Sequence, residues 1–546
     1  MAALRLAIGS AGRRSGVLAL LGRPAGGALE VCPLLAGHVR QSSAVSARRG
    51  GVTASKAEDF SSWYTQVITK SEMIEYYDIS GCYILRPWAF SIWEKITEEL
   101  DLRIKREGVQ NAYFPCFVSQ DALEAERSHV EGFAPEVAWV TRSGTSDFKS
   151  LLAIAVRPTS ETIMYPAFAK WIRSHRDLPL KLNQWSNIVR WEFKQPTPFL
   201  RTREFLWQEG HTAHATREEA EDTVATMLDH YAEVYEQLLA VPVVKGRKSE
   251  SEKFAGGQST LTLEAFIPTS GRGIQAATSH HLGTNFASMF DISYEDAMGQ
   301  RKLVEQTSWG FTTRALGIMV MVHGDDRGLV LPPRVAQLQA VIVPIYPKGK
   351  NGNASIDARC QDLRDSLRAA GVRADADLRA NHSSGWKFHW WELKGTPLRI
   401  ELGPRDLERG TCRVVRRDSG EGTDLPQADL GPAVQAELGR MHADMLGRAT
   451  RERDGAIARV TEWGEVAGAL SAKKLVLAPW GESAVSEEAI KEATRGELGA
   501  PSAPGELTGA MKSLCIPLEQ PHLPPGTRCF WTGEPARRWC LFGRSY

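Results

Sequence analysis

The sequence predicts an α/β protein of several domains. Its 546 residues, 42% hydrophobic and 24% charged, have the composition of a soluble globular protein and are too many for a single hydrophobic core. Two apolar segments, Val189–Phe193 and Arg201–His211, flank a loop with two prolines and predict an antiparallel pair of strands. From Gln339 onward, an apolar strand, a helix at 356–370 and a short strand at 372–378 predict a separate α/β domain with a mixed sheet.

Further helices are predicted where apolar residues recur every three or four positions. Phe90–Glu107, which follows a proline, and Glu218–Leu239, which begins with acidic residues, have this spacing. A polar helix at 438–457 leads into a last region that is rich in proline. We therefore place boundaries near 56, 335 and 450, which divide the chain into 1–55, 56–335, 336–449 and 450–546.

The first 55 residues differ from the rest in charge. They contain seven arginines and one acidic residue and carry a net charge of +6, which leaves −5 for the remainder. An Arg-rich, Ser-containing, acid-poor leader is typical of an organellar transit peptide, so we expect a soluble protein of the mitochondrial matrix, the plastid (chloroplast) stroma, or both. The alternative is a disordered basic tail that binds RNA.

Other bulk properties exclude several classes of function. No apolar run approaches the roughly 20 residues that cross a bilayer, so no membrane partner is expected. The eight cysteines are widely spaced without a CxxC pair, and we expect them to be core or surface thiols. Because residues 56–546 are slightly acidic, any contact with nucleic acid must come from local basic patches.

Three sequence blocks carry the candidate chemistry: Arg157–Thr162, Val189–Phe193 and Arg201–His211. Arg190 on one strand would meet Arg201 and Arg203 at the far end of the loop. Three guanidinium groups on one small surface repel each other unless a polyanion lies between them, and their planar forks suit phosphate oxygens. A triphosphate is therefore the predicted ligand.

These blocks resemble motif 2 of class II aminoacyl-tRNA synthetases, and Arg157–Thr162 with Trp207–His211 resembles prolyl-tRNA synthetases. The resemblance runs from about Phe60 to Tyr546. It implies a catalytic domain with an antiparallel sheet flanked by helices, an α/β anticodon-binding domain with a mixed sheet, and a small α/β C-terminal domain. It also implies a homodimer, with Pro115 as the candidate proline of motif 1.

The implied reaction is the ATP-dependent ligation of L-proline to tRNA(Pro) through a prolyl-adenylate, with Mg²⁺ bound to ATP. A carboxylate is already ionised at neutral pH, so the site must align the reactants and neutralise charge rather than supply a base. The resemblance makes Arg190 and Arg314 the catalytic residues. Arg327 is the rival of Arg314 for motif 3, but its Gly-Asp-Asp-Arg-Gly setting predicts a turn.

The resemblance also assigns the substrate contacts. The expected ATP contacts are Arg190, Glu192, Arg201, Thr202, Phe205, Gln275, Thr278, Thr312 and Arg314. The expected proline contacts are Thr159, Glu161, Arg190, Trp207, Glu209, His211, Phe254 and His280. Phe205 and Arg314 would enclose the adenine, Gln275 would contact the magnesium, and Glu161 would meet the secondary ammonium of proline.

Each role has a plainer alternative. Arg190 and Glu192 could form a structural ion pair, Phe205 could be a core strand residue, and a histidine such as His280 is more often structural. In the second domain, Glu392 and Arg399 are expected to read two adjacent guanines of the anticodon, and a surface ion pair is the alternative.

Two features set this chain apart within the resemblance. Only about a hundred residues separate His211 from Arg314, which leaves no room for the editing insertion of bacterial-type enzymes, so the chain resembles the archaeal and eukaryotic type. Trp480 and Trp531 stand where relatives have cysteine ligands and only Cys529 remains, so structural zinc is not expected.

Two other functions are alternatives to that of a prolyl enzyme. An inactive paralogue that binds RNA should have lost some site residues, whereas Thr159, Glu161, Arg190, Arg201 and Arg314 are all present. A threonyl enzyme would need a Cys/His/His metal pocket, which the matching blocks do not supply.

Overall fold

The structure is a computed structural model that describes residues 50–121, 123, 137–144, 146–147, 154–191, 195–347, 352–497 and 509–546. Residues 1–49 of the predicted transit peptide lie outside the described residues, and so does Glu192. The chain from Gly51 to Tyr546 forms one compact unit. Among the described residues, no helix has the length and apolar character needed to cross a membrane.

The first part of this unit combines helices with mainly antiparallel strands. Its helices are α1 (Phe60–Lys70), α2 (Pro87–Arg106), α3 (Glu161–Trp171), α4 (Arg217–Glu233), α5 (Asn285–Phe290) and α6 (Arg314–His323). Its strands are β1 (Ile74–Tyr76), β2 (Tyr83–Leu85), β3 (Gln110–Asn111), β4 (Phe117–Ser119), β5 (Trp139–Val140), β6 (Arg142–Ser143), β7 (Ser146–Asp147), β8 (Ile154–Val156), β9 (Leu180–Val189), β10 (Glu204–His214), β11 (Val243–Arg247), β12 (Ser259–Ile267), β13 (Arg272–Gly283), β14 (Ser293–Glu295), β15 (Arg301–Leu303) and β16 (Glu305–Thr312).

The second part of the unit alternates strands and helices. It contains β17 (Ala340–Pro344), α7 (Ala354–Ala369), β18 (Ala374–Ala376), α8 (Ser384–Leu393), β19 (Leu398–Leu402), α9 (Pro404–Arg409), β20 (Thr411–Arg416), β21 (Gly422–Pro426) and α10 (Leu430–Gly455). The sheet order is β18-β17-β19-β20-β21. Strand β17 is parallel to β18 and β19, whereas the other pairs are antiparallel, so the predicted mixed sheet is confirmed.

The last part contains β22 (Ile457–Arg459), α11 (Val466–Ser471), β23 (Leu475–Trp480), α12 (Ala484–Glu497), β24 (Lys512–Pro517) and β25 (Arg538–Ser545). Helix α10 runs through position 450, where we placed a boundary, and it begins eight residues before the expected start. Pro432 lies in its first turn, where backbone N–H groups have no acceptor within the helix. The lack of an N–H group in proline therefore costs no hydrogen bond, and the helix is not interrupted.

Helix α2 shows how the apolar spacing is satisfied. Pro87 occupies the first turn, and the three basic residues of the last turn suit the negative end of the helix dipole. Its buried side chains recur at intervals of one, three and four residues and face the main core: Trp88, Ala89, Ile92, Trp93, Ile96, Leu100 and Ile104.

The main sheet of the described chain has eleven strands in the order β22-β23-β25-β24-β11-β12-β13-β16-β10-β9-β3. Strands β9 and β10 are antiparallel with Glu204 opposite Val189, which confirms the predicted pair. Strand β24 pairs with β11, and β25 also pairs with β13. The C-terminal strands therefore extend the same sheet that carries the candidate site.

Candidate active site

A cavity of about 320 Å³ opens over the main sheet, where β10, β13 and β16 lie side by side. Fourteen of the residues predicted to contact ATP or proline line it: Thr159, Glu161, Arg190, Thr202, Phe205, Trp207, Glu209, His211, Phe254, Gln275, Thr278, His280, Thr312 and Arg314. The structure thus brings together residues from sequence blocks that are far apart in the chain.

Strand β10 supplies four of these side chains because alternate residues of a strand face the same side. Phe205, Trp207, Glu209 and His211 follow this period of two and all line the cavity. The opposite face of the strand is buried against helix α4, where the Tyr231 hydroxyl donates to Gln208. One strand therefore carries both a core face and a site face.

Strand β13 departs from this period through a β-bulge. Leu263 pairs with Ala277 and Glu264 pairs with Gln275, so Ala276 is an extra residue without a partner in the register. Because of this insertion, Gln275 and Thr278 both line the cavity although they are three positions apart.

The charged side chains that line the cavity form two groups. The first group consists of two buried carboxylates and a histidine. Glu209 accepts hydrogen bonds from Ser160 (2.5 Å), Gln184 (2.9 Å) and His211 (3.2 Å). Glu161, which is 4% exposed, accepts one from the Thr159 hydroxyl. In the described part of the chain, Glu209 is thus well supplied with donors, whereas Glu161 retains capacity for a further donor.

The pKa values of the two histidines of the cavity shift in opposite directions. Burial alone would lower the pKa of His211, but the hydrogen bond with Glu209 and the charges of Glu161 and Glu209 raise that pKa above its ordinary value. Burial, assisted by the charge of His211, lowers the pKa of His280 to about 3. His280 is therefore neutral and packs with the Phe254 ring at 4.7 Å between centroids.

Arginines form the second group of charged side chains in the cavity. Arg314 begins α6 and donates to the carbonyls of Gln275 (3.1 Å) and Leu200 (3.3 Å). Burial lowers the pKa of Arg314, and the positive charges of Arg190 and Arg201 lower it further. The Arg190 guanidinium lies 5.8 Å from the centre of the Phe205 ring and donates to the Pro158 carbonyl at 3.0 Å.

Arg201 and Arg203 do not line this cavity. Arg201 lines an adjoining cavity of about 280 Å³, which shares Gln275 and Arg314 with the first. Arg203 donates to the Ser80 carbonyl at 3.0 Å and lies 4.6 Å from the Trp191 ring. The prediction that Arg203 joins the cluster is wrong, because this side chain holds the β1–β2 connection instead.

Comparisons with known proteins agree with this arrangement. Three family profiles match: the tRNA synthetase class II core domain (G, H, P, S and T) at residues 150–323, the anticodon binding domain at 339–437 and the prolyl-tRNA synthetase C-terminal domain at 463–546. The chain is 53% identical to the cytoplasmic proline–tRNA ligase of Arabidopsis thaliana over 91% of both chains. It is 48% identical to the proline–tRNA ligase of Encephalitozoon cuniculi, over 91% of this chain and 99% of that one.

Solved structures give the same result. The crystal structure of prolyl-tRNA synthetase from Cryptosporidium parvum complexed with L-proline and AMP matches with a TM-score of 0.84 and 52% identity, covering 91% of this chain and 100% of that one. Its complex with halofuginone and AMPPNP matches with a TM-score of 0.86 and 52% identity, covering 92% and 98%. The chain belongs to the prolyl-tRNA synthetase family.

Glu392 and Arg399, the residues expected to read the anticodon of a prolyl-tRNA synthetase substrate, both line a separate small cavity of about 100 Å³ in the second part of the unit. They do not pair with each other. Glu392 accepts from Arg327 at 2.8 Å, and Arg399 donates to Glu401 at 3.0 Å while lying 4.3 Å from the Phe388 ring. Arg327 lines this cavity and Arg314 lines the first, so the two candidates for motif 3 lie at different sites.

The segment between His211 and Arg314 is described throughout. It forms α4, α5 and β11–β16, and it contains no additional domain of the kind that the editing insertion of bacterial-type prolyl-tRNA synthetases would require. Strands β11, β12, β13 and β16 belong to the main sheet, and β14 and β15 form a separate two-stranded sheet.

The C-terminal residues singled out for zinc lie in apolar surroundings. Trp480 is buried and its indole N–H donates to Ser486 at 2.8 Å, while Trp531 packs against Trp463 at 4.4 Å between centroids. Cys529 is buried in the same cluster. Within the described ranges, no group of three or more His, Cys, Asp or Glu side chains could hold a metal ion.

Several lining residues were missed from the sequence, namely Phe199, Leu200, Glu252, Thr260, Ala276, Ala277, Ser308, Trp309 and Gly310. One of them had a detectable signal. Trp309 lies opposite Gly210 in the β10–β16 register, and a Cβ atom on Gly210 would lie 2.1 Å from the indole. A glycine inside an apolar strand indicates such a close approach.

Proposed function

We propose that the residues of the 320 Å³ cavity activate L-proline with ATP and that the chain then transfers the proline to the 3′ end of tRNA(Pro). The observation that carries this proposal is the pairing of opposite charges in one cavity. Carboxylates at Glu161 and Glu209 suit an ammonium group, and guanidinium groups at Arg190 and Arg314 suit a carboxylate and a phosphate. A Cryptosporidium parvum relative is titled as a complex with L-proline and AMP, which supports the same pair of ligands here.

The proline end combines one available carboxylate with apolar walls. Glu161 has capacity for a further donor, so we assign it to the secondary ammonium, together with the Thr159 hydroxyl. Trp207, Phe254 and the neutral His280 give flat walls for a five-membered ring. Glu209 and His211 hold one another and fix the floor of this pocket.

The nucleotide end neutralises charge. Arg190 is placed to bridge the proline carboxylate and the α-phosphate, and Arg314 to cover the adenine opposite Phe205. Thr202, Gln275, Thr278 and Thr312 line the same space. We assign Arg201, in the adjoining cavity, to the outer phosphates.

Magnesium would enter with ATP. Mg²⁺ prefers oxygen ligands and takes several of them from phosphates, so it needs few protein ligands. The Gln275 side chain lines both cavities and can supply one oxygen, which fits such an ion. Bound there, the ion would neutralise the outer phosphates, while orientation of the reactants falls to Arg190 and Arg314.

Pyrophosphate exchange with a panel of amino acids tests the function. We expect exchange that depends on proline. Exchange with threonine alone, or with no amino acid, would reject the proposal. Aminoacylation of tRNA(Pro) transcripts then tests the transfer step.

We also propose that the protein is a homodimer. A cleft of about 700 Å³ is lined by Phe90, Trp93 and Tyr113, of which Tyr113 is 78% exposed. Arg157 connects this region to the proline pocket, because it donates to the carbonyls of Phe114 (2.7 Å) and Pro115 (3.2 Å) two residues before Thr159. We expect Tyr113→Asp to shift the mass measured by light scattering toward the monomer, with exposed Met298→Asp as the control.

The leader is proposed to direct the protein to mitochondria, plastids or both. Thr53 donates to Gln66 and Lys70 donates to the Gly51 carbonyl, so cleavage before Gly51 would leave these contacts intact. Imaging residues 1–60 fused to a fluorescent reporter tests which compartment the leader directs the protein to. A diffuse cytosolic signal would reject it.

A further inference from the structure

The candidate anticodon residue Glu392 is held by a closed set of hydrogen bonds. Its carboxylate accepts from Arg327 at 2.8 Å, and Arg327 also donates to the Asp325 carboxylate at 3.2 Å. Asp325 accepts two bonds from Arg417, at 2.6 and 2.7 Å. Arg417 then donates to the backbone carbonyl of Glu392 at 2.7 Å, which closes the ring.

This ring differs from an ordinary surface ion pair. The Arg417 side chain is 3% exposed, and its two terminal guanidinium nitrogens each donate a hydrogen bond to the Asp325 carboxylate. This bidentate pair is therefore rigid. Burial alone would raise the pKa of Asp325, but the hydrogen bonds and charge of Arg417 lower it below its ordinary value. Asp325 therefore stays ionised and anchors Arg327, whose own side chain is 45% exposed.

The ring fixes the Glu392 side chain relative to its own backbone. The Oε1 atom of Glu392 accepts the hydrogen bond from Arg327. The Oε2 atom of Glu392 remains available in the small cavity that Glu392 lines with Arg399. A carboxylate in one fixed orientation discriminates best between nucleobases, because N1–H and the 2-amino group of guanine must meet it at set positions. A mobile glutamate would accept other donors as well.

We propose that Arg327 is a positioning residue for anticodon recognition, which orients Glu392 toward guanine through its anchor on Asp325. This inference rests on the proposed function, in which Glu392 reads an anticodon guanine. Arg327 lies outside the ATP cavity, so its role is exerted through Glu392 and not on the activation step.

The test compares tRNA(Pro) transcripts that carry guanine or inosine at each of the two adjacent anticodon positions. Inosine keeps N1–H and lacks the 2-amino group. We expect Arg327→Gln to lower the ratio of kcat/KM for guanine over inosine by about tenfold, within the range of a single good base contact. Pyrophosphate exchange without tRNA should stay at the wild-type rate.

Three further variants make the result specific. Arg413→Gln removes another exposed arginine of the same domain, paired with Asp424 at 3.1 Å, and should leave the ratio unchanged. Arg327→Lys should not rescue, because an ammonium lacks the planar fork that reaches Glu392 and Asp325 together. Arg327→Gln combined with Glu392→Gln should be no worse than Glu392→Gln alone.

The outcomes are distinguishable. A wild-type ratio in Arg327→Gln, or additive losses in the double variant, would overturn the positioning role while leaving guanine recognition by Glu392 intact. A wild-type ratio in Glu392→Gln would overturn the assignment of Glu392 itself, and the inference with it. A fall in pyrophosphate exchange in Arg327→Gln would also overturn the positioning role, because it would show that Arg327 supports the catalytic part of the unit.

Discussion

Replacing Glu161 with glutamine tests whether its charge binds the amino group of the substrate. The Glu161 side chain is 4% exposed, lines the cavity and accepts a hydrogen bond from Thr159. Glutamine has the same shape and keeps an oxygen for that bond. Glu161 also begins α3, where the helix dipole favours a carboxylate by about 0.3–1 kcal/mol, so we expect only a small loss of stability.

The expected effect on proline binding is much larger. A hydrogen bond to a charged group contributes about 1.5–3 kcal/mol, and leaving a buried charge without its partner costs about 3–5 kcal/mol. Because each 1.4 kcal/mol is a factor of ten, we expect KM for proline to rise by about tenfold to a thousandfold. KM for ATP should change little, because no phosphate contact is assigned to Glu161.

Pyrophosphate exchange at saturating ATP, with proline as the varied substrate, measures this effect. Glu252→Gln is the matched control, because Glu252 lines the same cavity but its side chain is 35% exposed and its nearest cation, on Lys512, is 3.9 Å away. We expect the control to keep KM for proline near the wild-type value. Equal changes in both variants, or an unchanged KM in Glu161→Gln, would refute the assignment.

Three other predictions follow from described contacts. Arg190→Ala should abolish adenylate formation while the circular dichroism spectrum stays that of the wild type, and retained exchange would show that Arg190 does not contact the α-phosphate. Gly210→Ala would place a methyl group 2.1 Å from the Trp309 ring and should lower the free energy of unfolding in urea by about 1–3 kcal/mol. Burial lowers the pKa of His323 to about 3, so its stabilising contribution is present above about pH 6.5 and is lost as the pH falls toward 3. Between pH 6.5 and 5 the wild type should therefore lose about 2 kcal/mol more than His323→Gln, and equal losses would contradict this.

Local patterns explain which features the sequence predicts well. The β9–β10 pair is predictable because two prolines in one short loop prevent continued pairing and the flanking runs are apolar. The alternation of Phe205, Trp207, Glu209 and His211 follows from the geometry of one strand. The resemblance to known synthetases then supplies roles that spacing alone could not.

Features that depend on distant parts of the chain were not predictable. Arg203 turns to the Ser80 carbonyl, 123 residues earlier, and nothing near Arg203 in the sequence marks that contact. The bulge at Ala276 is a matter of register between β12 and β13, and no proline or glycine signals it at that position. The ring that holds Glu392 joins Asp325 to Arg417, 92 residues apart.

The shared eleven-stranded sheet has a consequence for biosynthesis. Arg272 in β13 is bonded to Ser545 in β25, 273 residues later, so during translation β13 emerges from the ribosome long before its neighbour does. Until then, strand edges that pair in the finished protein are open to association with other nascent chains. Heterologous expression should accordingly benefit from chaperones that shield unpaired β-strands until translation is complete.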